Sequence, residues 1–238
     1  MSEYNTVQMT EDEQAGLRKY VNKVFLTMGA GVSVTAIVSF LGYYLLATEI
    51  LSLQVYAIAL PIALIAELAI CFILSRKITE LATSTANMLF YTYAAVTGVT
   101  FAVLFVNINM ETVFAAFAYS AVMFFSCAVI GLTTKVDLTK FKGMIFGALI
   151  ALILATILSF FVPVLRDSLL LSYIGVVLFL VITAYDMQKI KEFYYGTQGG
   201  YGQIGNNLAI YGAFQLYLDF INIFIKVLSI LSSRSNRK

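Results

Sequence analysis

The sequence predicts an all-α integral membrane protein with seven transmembrane helices, and three observations carry that prediction. Of 238 residues, 61% are hydrophobic and only 12% charged, with a mean hydropathy of +0.89, outside the range of a water-soluble domain. A hydrocarbon core of ~30 Å, crossed at a rise of ~1.5 Å per residue, needs roughly 20 mostly apolar residues, and six runs meet that length. A seventh run is apolar except along one narrow line of polar side chains. The expected organisation is a short cytoplasmic segment over 1–22, a seven-helix transmembrane domain over 23–231 and a basic tail over 232–238.

The six runs are about Val24–Leu46, Leu53–Leu74, Met88–Val106, Val113–Leu132, Met144–Val164 and Leu169–Tyr185, and the seventh is about Leu208–Leu231. The joining loops are short, so no soluble domain is expected between helices. The head is too small to hold a core. Its first apolar run is too long, and follows too many acidic residues, to be a cleaved signal peptide.

Lys and Arg set the orientation. The head carries Arg18, Lys19 and Lys23, the second loop Arg76 and Lys77, the fourth Lys135, Lys140 and Lys142, and the sixth Lys189 and Lys191. The first and third loops carry none and the fifth only Arg166. This count puts the N-terminus in the cytoplasm. Arg234, Arg237 and Lys238 oppose the pattern, so the last segment either spans against the rule or dips in and returns; a span is expected.

The chain has no His, which removes the usual triad base, a common metal ligand and the ordinary sensor of neutral pH. Cys71 and Cys127 lie in separate apolar runs and read as core packing, not as a disulfide or a thiol metal site. A net charge of +2, dispersed along the chain, gives no reason to expect a nucleic-acid partner. The segment Gly200-Tyr-Gly-Gln-Ile-Gly205 is a formal GxGxxG, but no strand precedes it, so the five glycines of 196–205 read as a flexible connection or a gate hinge. Gly143 and Gly147 are spaced to permit close helix contact.

Charge inside hydrocarbon is costly, so each intramembrane ionisable residue is a functional candidate. Glu67 lies deep in the second span, Asp186 at the cytoplasmic end of the sixth, and Asp219 in the middle of the seventh with Lys226 further along. Gln215, Asp219, Asn222 and Lys226 fall at helical spacing and draw one stripe down the last helix. Such a stripe either lines a cavity or pore or is a buried seam that fixes helix register. Arg76, at the end of the second span, can reach Asp186 on this topology or can simply mark the positive boundary. Asp186 could in turn be an interfacial charge paired with Lys189.

The segment Leu216-Tyr-Leu-Asp219-Phe-Ile-Asn222 within Gly212–Leu231 resembles the last helix of the Bax inhibitor family, the transmembrane Bax inhibitor motif proteins, and Ala-Tyr185-Asp186 is similar to that family's other marked position. The short head is similar to that of bacterial members, which implies a bacterial cell membrane. The resemblance implies six helices surrounding the seventh and a pH-sensitive calcium leak. It implies a pH-sensing aspartate pair at Asp186 and Asp219, and an arginine latch at Arg76 or Lys77. Two buried carboxyls sharing one proton titrate as a unit and can do a histidine's work. With backbone carbonyls and water they could form a weak, transient calcium site. Calcium is then the transported ion, and no cofactor is expected. Glu67, Gln215, Asn222 and Lys226 are the other pore-lining candidates.

Two other classes stay open. The bundle could bind a membrane partner, such as a protease or a cell-death-type regulator, or it could exchange protons for calcium. A retinal protein is disfavoured by the seven-residue spacing of Asp219 and Lys226 and by the absence of Trp. An enzyme is not expected, because no nucleophile, base and oxyanion set can be assembled.

Overall fold

A computed structural model of the chain describes residues 11–162 and 169–235. The expectations resting on residues 1–10, on Arg166 and on Arg237 and Lys238 lie outside the described residues. Among the described residues seven α-helices follow one another: α1 Glu11–Ala47, α2 Leu53–Lys77, α3 Thr83–Asn107, α4 Met110–Thr133, α5 Lys142–Phe161, α6 Leu169–Gly196 and α7 Gly202–Ser235, with a 3-10 turn at Leu138–Phe141. All seven are long and apolar enough to cross a membrane, and no strand occurs among the described residues. The chain is therefore an all-α multi-pass membrane protein.

Several helices outrun their apolar stretches. Hydropathy marks where the chain leaves hydrocarbon, whereas the helix continues for as long as its hydrogen-bond ladder is supported. At its start α1 has Glu11, Asp12 and Glu13 in the first turn, a favourable placement at the positive end of the helix dipole. Ser52 caps α2 by accepting from the Val55 N–H at 3.4 Å, and Arg76 and Lys77 stand in its last turn, the end that favours cations. In α6 the apolar run was expected to end at Tyr185, and the helix continues to Gly196. Asp186 thus sits within a helix and not at its end.

Two compact units form. The first comprises 11–109 and 190–217 among the described residues. In it α3 packs against both α1 and α2. Small residues permit the approach to α1: a Cβ placed on Gly98 would stand 2.9 Å from the Thr35 carbonyl oxygen, and one on Gly42 would stand 2.7 Å from the Ala102 Cβ. Phe90, Tyr93, Phe214 and Tyr217 then meet edge to face, with ring centroids 5.0 to 6.2 Å apart, the arrangement that ring quadrupoles favour.

The glycine-rich connection belongs to this unit, and it is packed instead of being the loose connection expected. Gly199, Gly200 and Gly202 take positive φ values of 101°, 76° and 73°, which glycine adopts without strain, and Gln198 enters the turn at 50°. The Tyr20 ring lies on Gly200, and Gly205 abuts the backbone of Gly200. Lys23 Nζ donates to Asn206 Oδ1 at 2.6 Å, and Asn207 Nδ2 donates to the carbonyls of Ile78 and Leu81 at 2.8 and 2.7 Å. These bonds satisfy the end of α2 and tie it to the start of α7.

The second unit comprises 110–162, 169–189 and 218–235 among the described residues. Here α6 and α7 run antiparallel in one register, with Ser172 donating to Ser229 at 3.2 Å, Gly175 under the Lys226 stem, and Thr183 beside Asp219. Gly131 of α4 meets α6 so closely that an added Cβ would lie 2.8 Å from the Ala184 Cα. By contrast, nothing among the described residues lies within 4 Å of where a Cβ would stand on Gly143 or Gly147. The expected GxxxG contact is therefore not made there. Gln188 fastens the α4–α5 connection, accepting from the Leu138 N–H at 2.9 Å and donating to the Val136 carbonyl at 2.6 Å. In the same connection Asp137 caps the 3-10 turn through the Thr139 hydroxyl and N–H at 2.5 and 3.0 Å. The Thr139 hydroxyl, with smaller help from its N–H and from Lys140, holds the Asp137 carboxyl below its usual range.

Candidate functional site

Asp186 and Asp219 both lie in the second unit, only 5% and 3% exposed, and their carboxyls are near enough to repel each other. The expected pair is thus brought together. The antiparallel register of α6 and α7 is what places it. Asp219 comes opposite Thr183, one turn before Asp186.

Two further residues complete the site, and the sequence reading did not assign either to it. Thr183, fully buried, lies beside the Asp219 carboxyl while giving its own proton to the Phe179 carbonyl at 2.8 Å. Asp219 Oδ2 is buried and has no hydrogen-bond partner among the described residues. Lys189, one turn after Asp186, attracts both carboxylates and holds its ammonium 5.6 Å from the centre of the Tyr185 ring. The sequence reading had it as a possible interfacial partner of Asp186 alone. Its action on both carboxylates makes it the positive member of a three-charge group. A Thr three residues before the Asp and a Lys three after it lie on one helix face, a signal that was available.

The remaining candidates are distributed differently. Arg76 occupies the last turn of α2 in the first unit, with its guanidinium 5.6 Å from the Phe72 ring centre, and Lys77 follows it as the last residue of that helix. Glu67, half-buried on α2, accepts from the Thr100 hydroxyl at 3.2 Å. On α7, Asn222 turns its amide back to the Leu218 carbonyl at 2.8 Å, and Lys226 lays its stem on Gly175. Gln215 is half-buried on the same helix. The stripe is present, but its members differ: Asp219 is enclosed and the other three are partly accessible. Cys71 and Cys127 are both free and half-buried.

Chemically, two close carboxyls with one lysine can hold a proton between them or accept a hard cation through oxygen. Among the described residues no three acidic, Cys or His side chains gather around one point. A cation here would therefore be held by the two carboxylates with neutral oxygens, a weak site.

Compared with known proteins, the chain matches over residues 17–236 the family described as "Inhibitor of apoptosis-promoting Bax1". It is 35% identical over 227 residues to the inner membrane protein YbhL of Escherichia coli K12, covering 93% of this chain and 94% of that protein. It is 37% identical over 229 residues to an uncharacterized protein of Deinococcus radiodurans, covering 96% and 95%. It is 35% identical over 216 residues to an uncharacterized membrane protein of Streptococcus pyogenes, covering 90% and 93%.

Proposed function

Because the chain belongs to the Bax inhibitor family, we propose that it is a pH-sensitive calcium leak whose gate is the Asp186–Asp219 pair. The observation that carries this reading is the meeting of two buried carboxyls across α6 and α7, one with an oxygen lacking a hydrogen-bond partner among the described residues. One proton shared by the pair leaves a single negative charge, which Lys189 balances. Loss of that proton leaves two negative charges, and the uncompensated one attracts a divalent cation. The Thr183 hydroxyl, beside the Asp219 carboxyl, holds that carboxyl in place within the pair.

In this reading α7 is the helix that the others surround. Its support is burial: 61% of its most apolar stretch is buried, against 11% in α2 and in α5. Glu67, Gln215, Asn222 and Lys226 are the pore-lining candidates of this reading, and Arg76 is its latch. The N-terminus is cytoplasmic, the membrane is a bacterial cell membrane, no catalysis is assigned, and calcium is cargo, with no cofactor. Calcium flux from proteoliposomes, titrated from pH 5 to 9, tests it. The native protein should show a pH-dependent leak, and Asp219→Asn or Asp186→Asn should flatten the profile. An unaltered profile in both variants would refute the gate.

The family description, with its reference to Bax, favours a second reading in which the bundle acts by binding a membrane-protein partner. Purified protein that moves no calcium in liposomes but co-purifies with one specific membrane protein would decide for it.

A further inference from the structure

The last helix carries a second ionisable side chain at membrane depth, Lys226, which is not among the charges that act on the aspartate pair. It lies seven residues after Asp219, about 10 Å along the helix, and five before Leu231, where the apolar run ends. An ammonium in hydrocarbon is costly unless an anion or the interface receives it. No ion pair joins Lys226 to a carboxylate among the described residues, and Asn222, one turn before it, gives its amide to the Leu218 carbonyl.

The lysine has a built seat. Its stem crosses α6 at Gly175, where an added Cβ would stand 3.0 Å from Lys226 Cε and 3.1 Å from its Cδ and Cγ. Three carbons of the stem thus lie on bare backbone. One turn further toward the end of α7, Ser172 of α6 donates to Ser229 of α7 at 3.2 Å. Ser229 Oγ is thereby an acceptor, and its own O–H has no acceptor among the described residues. A helical serine can give that proton to the preceding turn, as Ser120 and Ser126 do, but Ser229 does not. Lys226 and Ser229 are three residues apart, so they share one face of α7, and both are partly accessible. Two donors therefore stand side by side, without an acceptor, near the end of a span.

We propose that Lys226 and Ser229 bind the phosphate of one anionic phospholipid in the leaflet where α7 ends. A phosphodiester carries one negative charge and neutralises one ammonium. Its unesterified oxygens take a charge-assisted bond from Lys226 and a second bond from the Ser229 hydroxyl. A zwitterionic lipid would bring another ammonium to the same place, which like-charge repulsion disfavours. Lys226 is about 8 Å inside Leu231, and lysines near helix ends extend toward the headgroups. Gly175 fixes the path of the stem, and Ser172 holds the Ser229 oxygen so that its proton is left for the lipid. The site goes beyond the proposed gate: it shares no side chain with the aspartate pair, and lipid binding is read without calcium, so each stands or falls separately.

Native mass spectrometry of the full chain, released from neutral detergent micelles and titrated with phosphatidylglycerol or phosphatidylcholine, provides the test. The native protein should keep one phosphatidylglycerol and hold phosphatidylcholine about tenfold more weakly. Lys226→Met should weaken phosphatidylglycerol binding about tenfold and Ser229→Ala about threefold, the scale of one charged and one neutral hydrogen bond. Lys226→Arg should keep the affinity. Gly175→Ala, which moves the stem without removing a donor, should fall between native and Lys226→Met. Thermal unfolding in the same detergent shows which variants are folded, and if Lys226→Met is not, Ser229→Ala and Gly175→Ala decide. A phosphatidylglycerol affinity that none of these variants alters overturns the proposal, as does equal binding of the two lipids. Displacement of the lipid by millimolar inorganic phosphate also overturns it, and would make the two donors a site for a free anion.

Discussion

Thr183 of α6 stands beside the Asp219 carboxyl of α7, and its hydroxyl can bond to that carboxyl as well as to the Phe179 carbonyl oxygen 2.8 Å away. Valine keeps its shape and removes that capacity. Thr183→Val should therefore lower stability by about 1–2 kcal/mol in otherwise native protein. In an Asp219→Leu background the same change should cost under about 0.5 kcal/mol, because the partner is gone. Denaturation in detergent micelles measures both arms, and equal losses would show that the two groups do not interact.

Lys189 is the cation acting on both carboxylates. If the pair receives calcium, Lys189 competes with it. Lys189→Gln should lower the calcium concentration for half-maximal flux about fivefold, equivalent to ~1 kcal/mol, and Lys189→Arg should leave it near the native value. An increase in Lys189→Gln would mean that the lysine organises the site and does not compete for it.

Gly131 and the Gly143, Gly147 pair make opposite predictions. A methyl on Gly131 must displace the Ala184 backbone, and overpacking of this kind costs about 1–3 kcal/mol. Gly143→Ala and Gly147→Ala enter open space within a helix, where alanine gains roughly 0.5–1 kcal/mol over glycine. Melting temperatures should fall for the first and hold or rise for the other two.

Asp137 lies outside the spans, and its carboxyl is held low chiefly by the Thr139 hydroxyl. A group whose folded pKa is depressed stabilises the fold above its unfolded pKa and loses that contribution as pH falls through the folded value. The Asp137 cap should thus persist at neutral pH and be lost only in acid. Carbon-13 NMR should place its midpoint below the ordinary value of ~3.9, and Thr139→Val should move it upward. A midpoint unaffected by that substitution would assign the shift to another group.

Much of this was legible because the membrane imposes simple rules. Twenty apolar residues are needed to cross it, and any charge within such a run stands out, which is how Asp186, Asp219 and Glu67 were found. The features that were missed obey other rules. The extension of α6 to Gly196 depends on helical hydrogen bonds beyond the hydrocarbon, where hydropathy carries no information. Thr183 is an ordinary intramembrane threonine by composition, and only the register of α6 against α7 brings it to Asp219. The contact at Gly131 and the lack of one at Gly143 and Gly147 depend on which face each helix turns inward, and glycine spacing does not specify that. The glycine run at 196–205 looked loose because glycine permits mobility. It is packed because glycine also permits the left-handed turn and the close approach of Tyr20.

The bonds from α1 to the far end of the chain bear on how the protein is made. Tyr20 donates to the Gly205 carbonyl, Lys23 to Asn206, and Thr35 pairs with Tyr217, across 185, 183 and 182 residues. Helices leave the ribosome in order, and non-local contacts form last. The first helix to enter the bilayer must therefore wait for the last, with its hydroxyls provisionally bonded, until synthesis is nearly complete. A chain that stops before α7 leaves Tyr20, Lys23 and Thr35 of α1 without these three partners, so the first helix reports on whether the last has been made.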